Sequence, residues 1–229
     1  MSLKLAQKKE DIFLSRSIIL EMIKNRGFNI DDYSSFTKDD IFNLYNQFNQ
    51  KIAISNELGP LDILVKKTNE EGQEEKLFVK YKLDDKFKKN KSLEQQIISI
   101  FDYPLTKNDC LIIINYEAIE FKPTKKESNV ERFNDFMYTN YGYFIQLYGI
   151  KNLLFNISKH FSVPKHEYIS NKEVQEILLK YNIKINNFEE IRREDPQAKY
   201  IGLRPNQVCK ITRPSTSSIY SIIYRRCID

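Results

Sequence analysis

Cys110-Leu111-Ile112-Ile113-Ile114-Asn115 is a short, almost wholly apolar run with three consecutive isoleucines. A half-exposed strand would alternate polar and apolar residues, and this run does not. It therefore predicts a central strand buried on both faces, the kind that needs cover on two sides. On its N-terminal side, Leu61–Val65 and Leu77–Tyr81 also predict strands. They are joined by a hairpin turn at Asn69-Glu70-Glu71-Gly72, and Gly59-Pro60 marks where the pattern changes. Ser92 to Ile100 predicts a helix, another begins near Ser128 or Asn129 and runs through Phe136, and Phe144 to Ile157 reads as strand-rich.

Two helices precede the strands. Ile12, Ile19, Leu20 and Ile23 recur at helical spacing between about Leu5 and Arg26, and Gly27 supplies the stop. Thr37 can cap a second helix, Asp39 and Asp40 suit the positive end of its dipole, and Ile41, Leu44, Tyr45 and Phe48 form one stripe. Helices, a strand pair and a buried strand together predict an α/β first domain.

The 229 residues, 27.3 kDa, fit one large domain or two modest ones. With 41% apolar and 29% charged residues, the composition is globular. No stretch approaches the ~18 uninterrupted apolar residues of a membrane span. Met1 to Asp11 is charged and has no apolar signal-peptide core, which predicts an intracellular protein. Cys110, Cys209 and Cys227 are odd in number and widely spaced, with no CxxC, so they read as reduced packing cysteines. There is no Walker loop, GxGxxG, GxSxG or HExxH, so no cofactor, metal or small-molecule ligand is expected. Asn, Ile, Lys, Tyr and Phe are abundant and Trp is absent, a bias toward AT-rich codons that points to a genome more than a function.

Candidate chemistry is sparse. Some metal-dependent nucleases carry an Asp on one strand and an acid-x-Lys on the next, so that two carboxylates hold Mg²⁺ and the lysine steadies the attacking water. Asp62 and Lys80 echo this, but the position two before Lys80 is Phe78. One carboxylate makes a poor Mg²⁺ site, and the simpler reading is a strand-end Asp and a surface Lys. His160 and His166 lack further metal ligands or an adjacent nucleophile. Lys122, Lys125 and Lys126 cluster around Pro123 in a polar loop that could touch a phosphate backbone. Arg192, Arg193, Arg204, Arg213, Arg225 and Arg226 could face phosphates or an acidic protein surface.

The last third has its own signals. Val163-Pro164 blocks helix continuation. Ser170-Asn171-Lys172-Glu173 is a capping box, followed by the apolar face Val174, Ile177, Leu178 and Tyr181. Asp195-Pro196 starts a short helix that Gly202 ends. Gln207 to Arg213 and Ile219 to Arg226 predict two strands joined by a Pro-Ser-Thr-Ser-Ser turn.

His160-x-x-Val163-Pro164-x-His166, Asp195-Pro196-x-Ala198-x-Tyr200-x-Gly202 with Arg204, and Lys210-Ile211-x-Arg213-Pro214-Ser215, closing with Tyr224-Arg225, stand in order at matching spacing. This set resembles the assembly domain of the fifth subunit of eukaryotic RNA polymerases, shared by polymerases I, II and III, which has a shorter archaeal counterpart. Taken together the motifs are specific. The first domain resembles the family more weakly, through Asn25-Arg26-Gly27-Phe28 and Leu154-Phe155-Asn156-Ile157.

The resemblance implies two domains. Residues 1–155 would be an endonuclease-like α/β jaw without catalysis, and residues 156–229 a small mixed α+β assembly domain. It implies a non-catalytic transcription subunit that docks on the largest polymerase subunit, beside other subunits, while the jaw helps hold downstream duplex DNA. The implied assembly interface is His160, Pro164, His166, Asp195, Pro196, Tyr200, Gly202, Arg204, Lys210, Arg213, Pro214, Tyr224 and Arg225. The implied DNA contact is Lys122, Pro123, Lys125 and Lys126. The alternatives are a stand-alone metal-dependent nuclease and a DNA-binding adaptor.

Two departures stand out. The family's Thr-Pro-Ser-Ala loop corresponds to Lys122-Pro123-Thr124-Lys125, and its Gly-Arg-Tyr is replaced by Ile219-Tyr220-Ser221. The divergent jaw and the AT-rich composition suggest a large DNA virus, with the protein in the virion or a cytoplasmic virus factory; a cellular source would place it in the nucleus. Charge sharpens the division of labour. Residues 156–229 hold 13 Lys or Arg and 8 Asp or Glu, whereas the first 155 residues hold 23 of each. The net charge of +5 therefore lies in the last third. It is better evidence for docking on an acidic protein surface than for DNA binding by the jaw.

Overall fold

The computed structural model describes residues 3–48, 58–68, 72–83, 91–116, 129–215 and 218–228. The chain separates into two compact units, Met1–Phe155 and Asn156–Asp229, of mixed α+β structure.

In the first unit, helix α1 (Leu3–Asn25), a single turn α2 (Asp31–Ser34) and α3 (Lys38–Phe48) precede the sheet. The sheet has the order β1 (Ile63–Thr68), β2 (Glu74–Lys82), β3 (Cys110–Asn115), β4 (Phe144–Gly149). The β1–β2 pair is antiparallel; β2–β3 and β3–β4 are parallel and are connected through α4 (Lys91–Asp102) and α5 (Asn129–Tyr141). Every residue of β3 is buried, as its unbroken apolar run requires.

The burial pattern shows two layers of cover. Phe78, Leu111, Ile113, Ile145 and Leu147 share one face and pack on Leu93, Ile97 and Ile100 of α4 and Phe133 and Met137 of α5. The opposite face carries Val79, Ile112 and Ile114, while α1 buries Ile12, Ile19, Met22 and Ile23. Two of the predicted strands shift. Strand β1 starts at Ile63, because Gly59 to Asp62 form a turn in which the Asp62 N–H donates to the Gly59 carbonyl at 3.1 Å. After Gly149 the chain leaves the sheet for a 3₁₀ turn, Ile150–Leu153, whose two buried residues are three apart, a helical and not an alternating spacing.

Buried carboxylates fix the ends of the strands. The Asp109 side chain, just before β3, accepts from the N–H of Lys76 at 2.7 Å and of Thr106 at 2.6 Å. Asp62, just before β1, accepts from the N–H of Gly59 at 2.7 Å and of Tyr81 at 3.1 Å, and pairs with the Lys80 ammonium at 2.8 Å. Gly59 is needed here for space, since a Cβ would lie 2.9 Å from the Asp62 Oδ2. Lys80 is not the surface lysine its sequence suggests. Its side chain is 5% exposed, lies over the Phe78 ring at 5.0 Å, and places its charge on Asp62.

On β1's other side, the Tyr33 hydroxyl accepts from the Leu64 N–H at 3.1 Å and donates to the Leu64 carbonyl at 3.2 Å. The Arg16 guanidinium donates to the Leu61 carbonyl at 2.5 Å; burial holds it below its ordinary pKa.

In the second unit, the sheet order is β5 (Lys165–Tyr168), β7 (Val208–Pro214), β8 (Tyr220–Ile228), β6 (Glu189–Arg192). The β5–β7 and β7–β8 pairs are antiparallel and β6–β8 is parallel. Helices α6 (Asn171–Tyr181) and α7 (Pro196–Ile201) complete it. Val208 packs with Ile169, Val174 and Phe188, Val174 coming from α6. Cys209, Ile211 and Cys227 pack instead with Ile191, with Ala198 of α7, and with Leu203. Because β7 alternates between these two clusters, the small sheet also has two apolar faces. The Ser170–Glu173 capping box is formed. The four-residue strands β5 and β6 have too few residues for a clear alternation, so their sequences did not announce them.

Replacing Lys80 with Met should leave the Asp62 carboxylate buried without its counter-charge. We expect the first unit to lose about 3–5 kcal/mol, measured by urea unfolding of the full chain.

Candidate functional site

The residues singled out by motif gather in the second unit, and local structure explains much of their spacing. Asp195 caps α7, its Oδ1 accepting from the N–H of Gln197 at 2.8 Å and of Ala198 at 3.3 Å. Pro196 takes the first helical position, where no N–H is needed. Ala198 is fully buried against the sheet. Gly202, at φ 72°, turns the chain out of the helix, which lets the Leu203 N–H donate to the Ala198 carbonyl at 2.9 Å. Most of the motif Asp-Pro-x-Ala-x-Tyr-x-Gly is thus a recipe for one short, doubly capped helix.

The tyrosine of that motif faces the start of the unit. The Tyr200 hydroxyl accepts from the Asn156 amide at 3.2 Å, while the Asn156 carbonyl oxygen accepts from the Ser158 N–H at 3.0 Å. His160 is exposed, with its Nδ1 3.3 Å from the Ser162 N–H and its ring 4.8 Å from the Phe161 ring. His166 is half-buried on β5, its Nδ1 2.8 Å from the carbonyl of Pro164. Burial holds the His166 pKa below its ordinary 6.5; Arg225 and Arg213 act in the same direction, and Asp195 against it.

The remaining motif residues lie on the β7–β8 hairpin. Lys210 stands in register between Glu167 and Tyr224, Arg213 opposite Ser221, and Pro214 opposite Tyr220. The Tyr224 ring packs 5.9 Å from Phe188. Arg204 lies just before the hairpin, its N–H donating to the Gln207 side chain at 2.8 Å. Arg225 is engaged across the sheet: its Nη2 and Nε reach one oxygen of Glu189 at 3.0 and 3.2 Å. Arg226 meets Glu190 in the same way at 3.3 Å. Sequence reasoning missed these two carboxylates. Their signal is the pairing of Glu189-Glu190 with Arg225-Arg226 in one register, which becomes visible only when β6 is known to lie parallel to β8. Burial pushes the Cys209 thiol up to about 11, and all three cysteines are free and buried.

The other candidate set belongs to the first unit. Asp62 has its oxygens occupied by Gly59, Tyr81 and Lys80, and Phe78 is fully buried in the core. Among the described residues no group of three or more His, Cys, Asp or Glu side chains could hold a metal ion. Lys122, Pro123, Lys125 and Lys126 lie outside the described residues. No described helix is long and apolar enough to cross a membrane.

Residues 155–227 match the family described as RNA polymerase Rpb5, C-terminal domain. Over 72 residues the chain is 40% identical to the DNA-directed RNA polymerase subunit Rpo5 of Methanocaldococcus jannaschii, a stretch covering 31% of this chain and 92% of that one. It is 37% identical over 84 residues to subunit rpabc1 of DNA-directed RNA polymerases I, II and III from Dictyostelium discoideum, covering 37% of this chain and 43% of that one. Against subunit 5B of DNA-directed RNA polymerases IV and V from Arabidopsis thaliana, the identity is 34% over 85 residues, 37% and 38% of the two chains. The matched stretch therefore spans about two fifths of these two eukaryotic relatives.

His166 yields a prediction of sign. Its folded pKa is lowered, so below the ordinary value of 6.5 the unfolded chain binds a proton that the folded chain resists. Stability of the second unit should be full above pH 6.5 and decline as the pH falls through 6.5 toward the lowered folded value. Thermal unfolding of wild type and His166→Gln across this range should show the pH dependence shrinking in the variant.

Proposed function

Because this chain belongs to the Rpb5 family of RNA polymerase subunits, we propose that it is a non-catalytic subunit of a multisubunit DNA-directed RNA polymerase. The observation that carries the proposal is the match to the archaeal polymerase subunit, 92% of whose length this chain covers at 40% identity.

In this reading residues 156–229 form the assembly domain and dock on the largest subunit, beside other subunits. His160, Pro164, His166, Tyr200, Arg204, Lys210, Arg213, Pro214 and Tyr224 supply or support the docking surface. Asp195, Pro196 and Gly202 act indirectly, by shaping α7. Arg225 acts through its pairing with Glu189, which ties β8 to β6. Residues 1–155 form the jaw, with Lys122, Pro123, Lys125 and Lys126 touching the phosphates of downstream duplex DNA. Nucleotide addition belongs to the large subunits. The closed Asp62–Lys80 pair supports a jaw without a metal-activated water, because an ammonium and two backbone N–H groups already take three of that carboxylate's four lone-pair sites. The divergent jaw taken with the AT-rich composition favours a large DNA virus as the source, and so the virion or a cytoplasmic factory as the location; a cellular source would place it in the nucleus.

Purifying the polymerase through its largest subunit should recover this chain at about one copy per complex. Its recovery only as a free chain, with the polymerase complete and active without it, would refute the proposal. Replacing Lys122, Lys125 and Lys126 together with Ala should leave that recovery intact while lowering the salt dependence of duplex binding. For every phosphate no longer neutralised, the slope of log K against log salt should flatten by about 0.9. An unchanged slope would remove the loop from the DNA interface.

A further inference from the structure

The β7–β8 hairpin ends in a surface that its own unit leaves uncovered. Ile219 is 91% exposed, Tyr220 59% and Ile222 41%, next to the exposed Pro214. Scattered apolar residues on a surface need no explanation, but three within four positions at a strand end form a patch. The register explains why they stay bare. Tyr220 and Ile222 share a face with Lys210 and Tyr224, and the cluster built on α6 extends along that face only as far as Val208 and Tyr224.

The hairpin's own stretch of chain carries charge of one sign, while Glu167 of β5, in register with Lys210, pairs with Lys165 at 2.6 Å. Residues 196–228 contain Lys199, Arg204, Lys210, Arg213, Arg225 and Arg226 and not a single Asp or Glu. Carboxylates from earlier in the chain engage Lys199, Arg225 and Arg226, through Glu194, Glu189 and Glu190. Lys210 and Arg213, the two cations within β7, have no carboxylate at ion-pair distance among the described residues. By register Lys210 lies on the face of Tyr220 and Ile222 and Arg213, opposite Ser221, on the reverse face, so the hairpin end carries one uncompensated cation on each side and is complementary to an apolar pocket with acidic walls. The aliphatic side chains decide between classes of partner. Isoleucine offers nothing to a phosphate backbone, which is met by cations and hydrogen-bond donors, whereas Ile, Tyr and Arg side by side are the materials of a protein interface.

We infer that the tip formed by Ile219, Tyr220 and Ile222, with Lys210 on one face of the hairpin and Arg213 on the other, docks into an acidic-walled apolar pocket on another protein subunit of the polymerase. The inference rests on the chain being a polymerase subunit. It adds which surface makes the attachment and what chemistry the partner presents.

The test is to co-express the full chain, tagged, with the polymerase subunits encoded in the same genome, to isolate the complex through the largest subunit, and to measure the tag per largest subunit. The triple replacement Ile219→Ser, Tyr220→Ser, Ile222→Ser should lower recovery at least tenfold, and so should Arg213→Glu alone, which leaves the apolar residues in place. Thermal unfolding of the free variants should match wild type, since all the altered side chains are at least partly exposed. If wild type is recovered at one copy per complex and both variants are too, the inference fails while the polymerase reading stands. If wild type is itself not recovered, the polymerase reading falls and the inference falls with it. If both variants are recovered normally but bind a short DNA duplex more weakly, the tip is a nucleic-acid contact and the inference is overturned.

Discussion

The all-buried strand β3 constrains the first unit more than any other element. Six consecutive buried residues leave no face for water, so the chain must supply apolar cover on both sides of the sheet. The parallel pairings with β2 and β4 meet that need, because each crossover carries a helix back across one face. The remaining face takes α1, whose Ile12, Ile19, Met22 and Ile23 are almost completely buried. A doubly covered sheet in turn gives its strand ends low-dielectric surroundings, where a carboxylate must be fully satisfied. Asp62 and Asp109 are stable there because backbone N–H groups, and for Asp62 a lysine, converge on them.

The second unit shows how a motif can be specific without every residue touching a partner. Asp195, Pro196, Ala198 and Gly202 follow from the demands of one short helix: a cap, a start without an N–H, a contact with the sheet, and a left-handed exit. Arg225 ties two strands together. A change at any of these would alter the surface by moving what carries it. The half-exposed side chains Lys210 and Arg213, with the exposed His160 and Pro214, are instead directly available to a neighbour.

What the sequence disclosed depended on how local the governing physics was. Helices α1, α6 and α7 were legible because caps, stops and apolar stripes act within a few residues, and β3 because two-sided burial leaves an unbroken apolar run. The single turn α2 and the strands β5 and β6 were not, since four residues give no period and their stability comes from neighbours distant in the chain. Lys80 was misjudged for the same reason: its burial depends on a carboxylate eighteen positions away that reaches it only through strand pairing. The motif residues were legible as a set, but their division into those that shape the unit and those left on its surface emerged only from the fold. Lys122, Pro123, Lys125 and Lys126 lie outside the described residues.

Strand β1 is the outermost member of its sheet, and an outermost strand ordinarily displays unpaired donors and acceptors that invite another chain to join. In an antiparallel ladder, alternate residues offer both their N–H and their C=O to one partner. At Leu64 a single phenol answers both, and at Leu61 a guanidinium answers the carbonyl. Tyr33 thus stands at Leu64 where a neighbouring strand would, and Arg16 holds the turn that leads into β1. At Leu64 the outer edge of β1 presents neither a free donor nor a free acceptor to another strand.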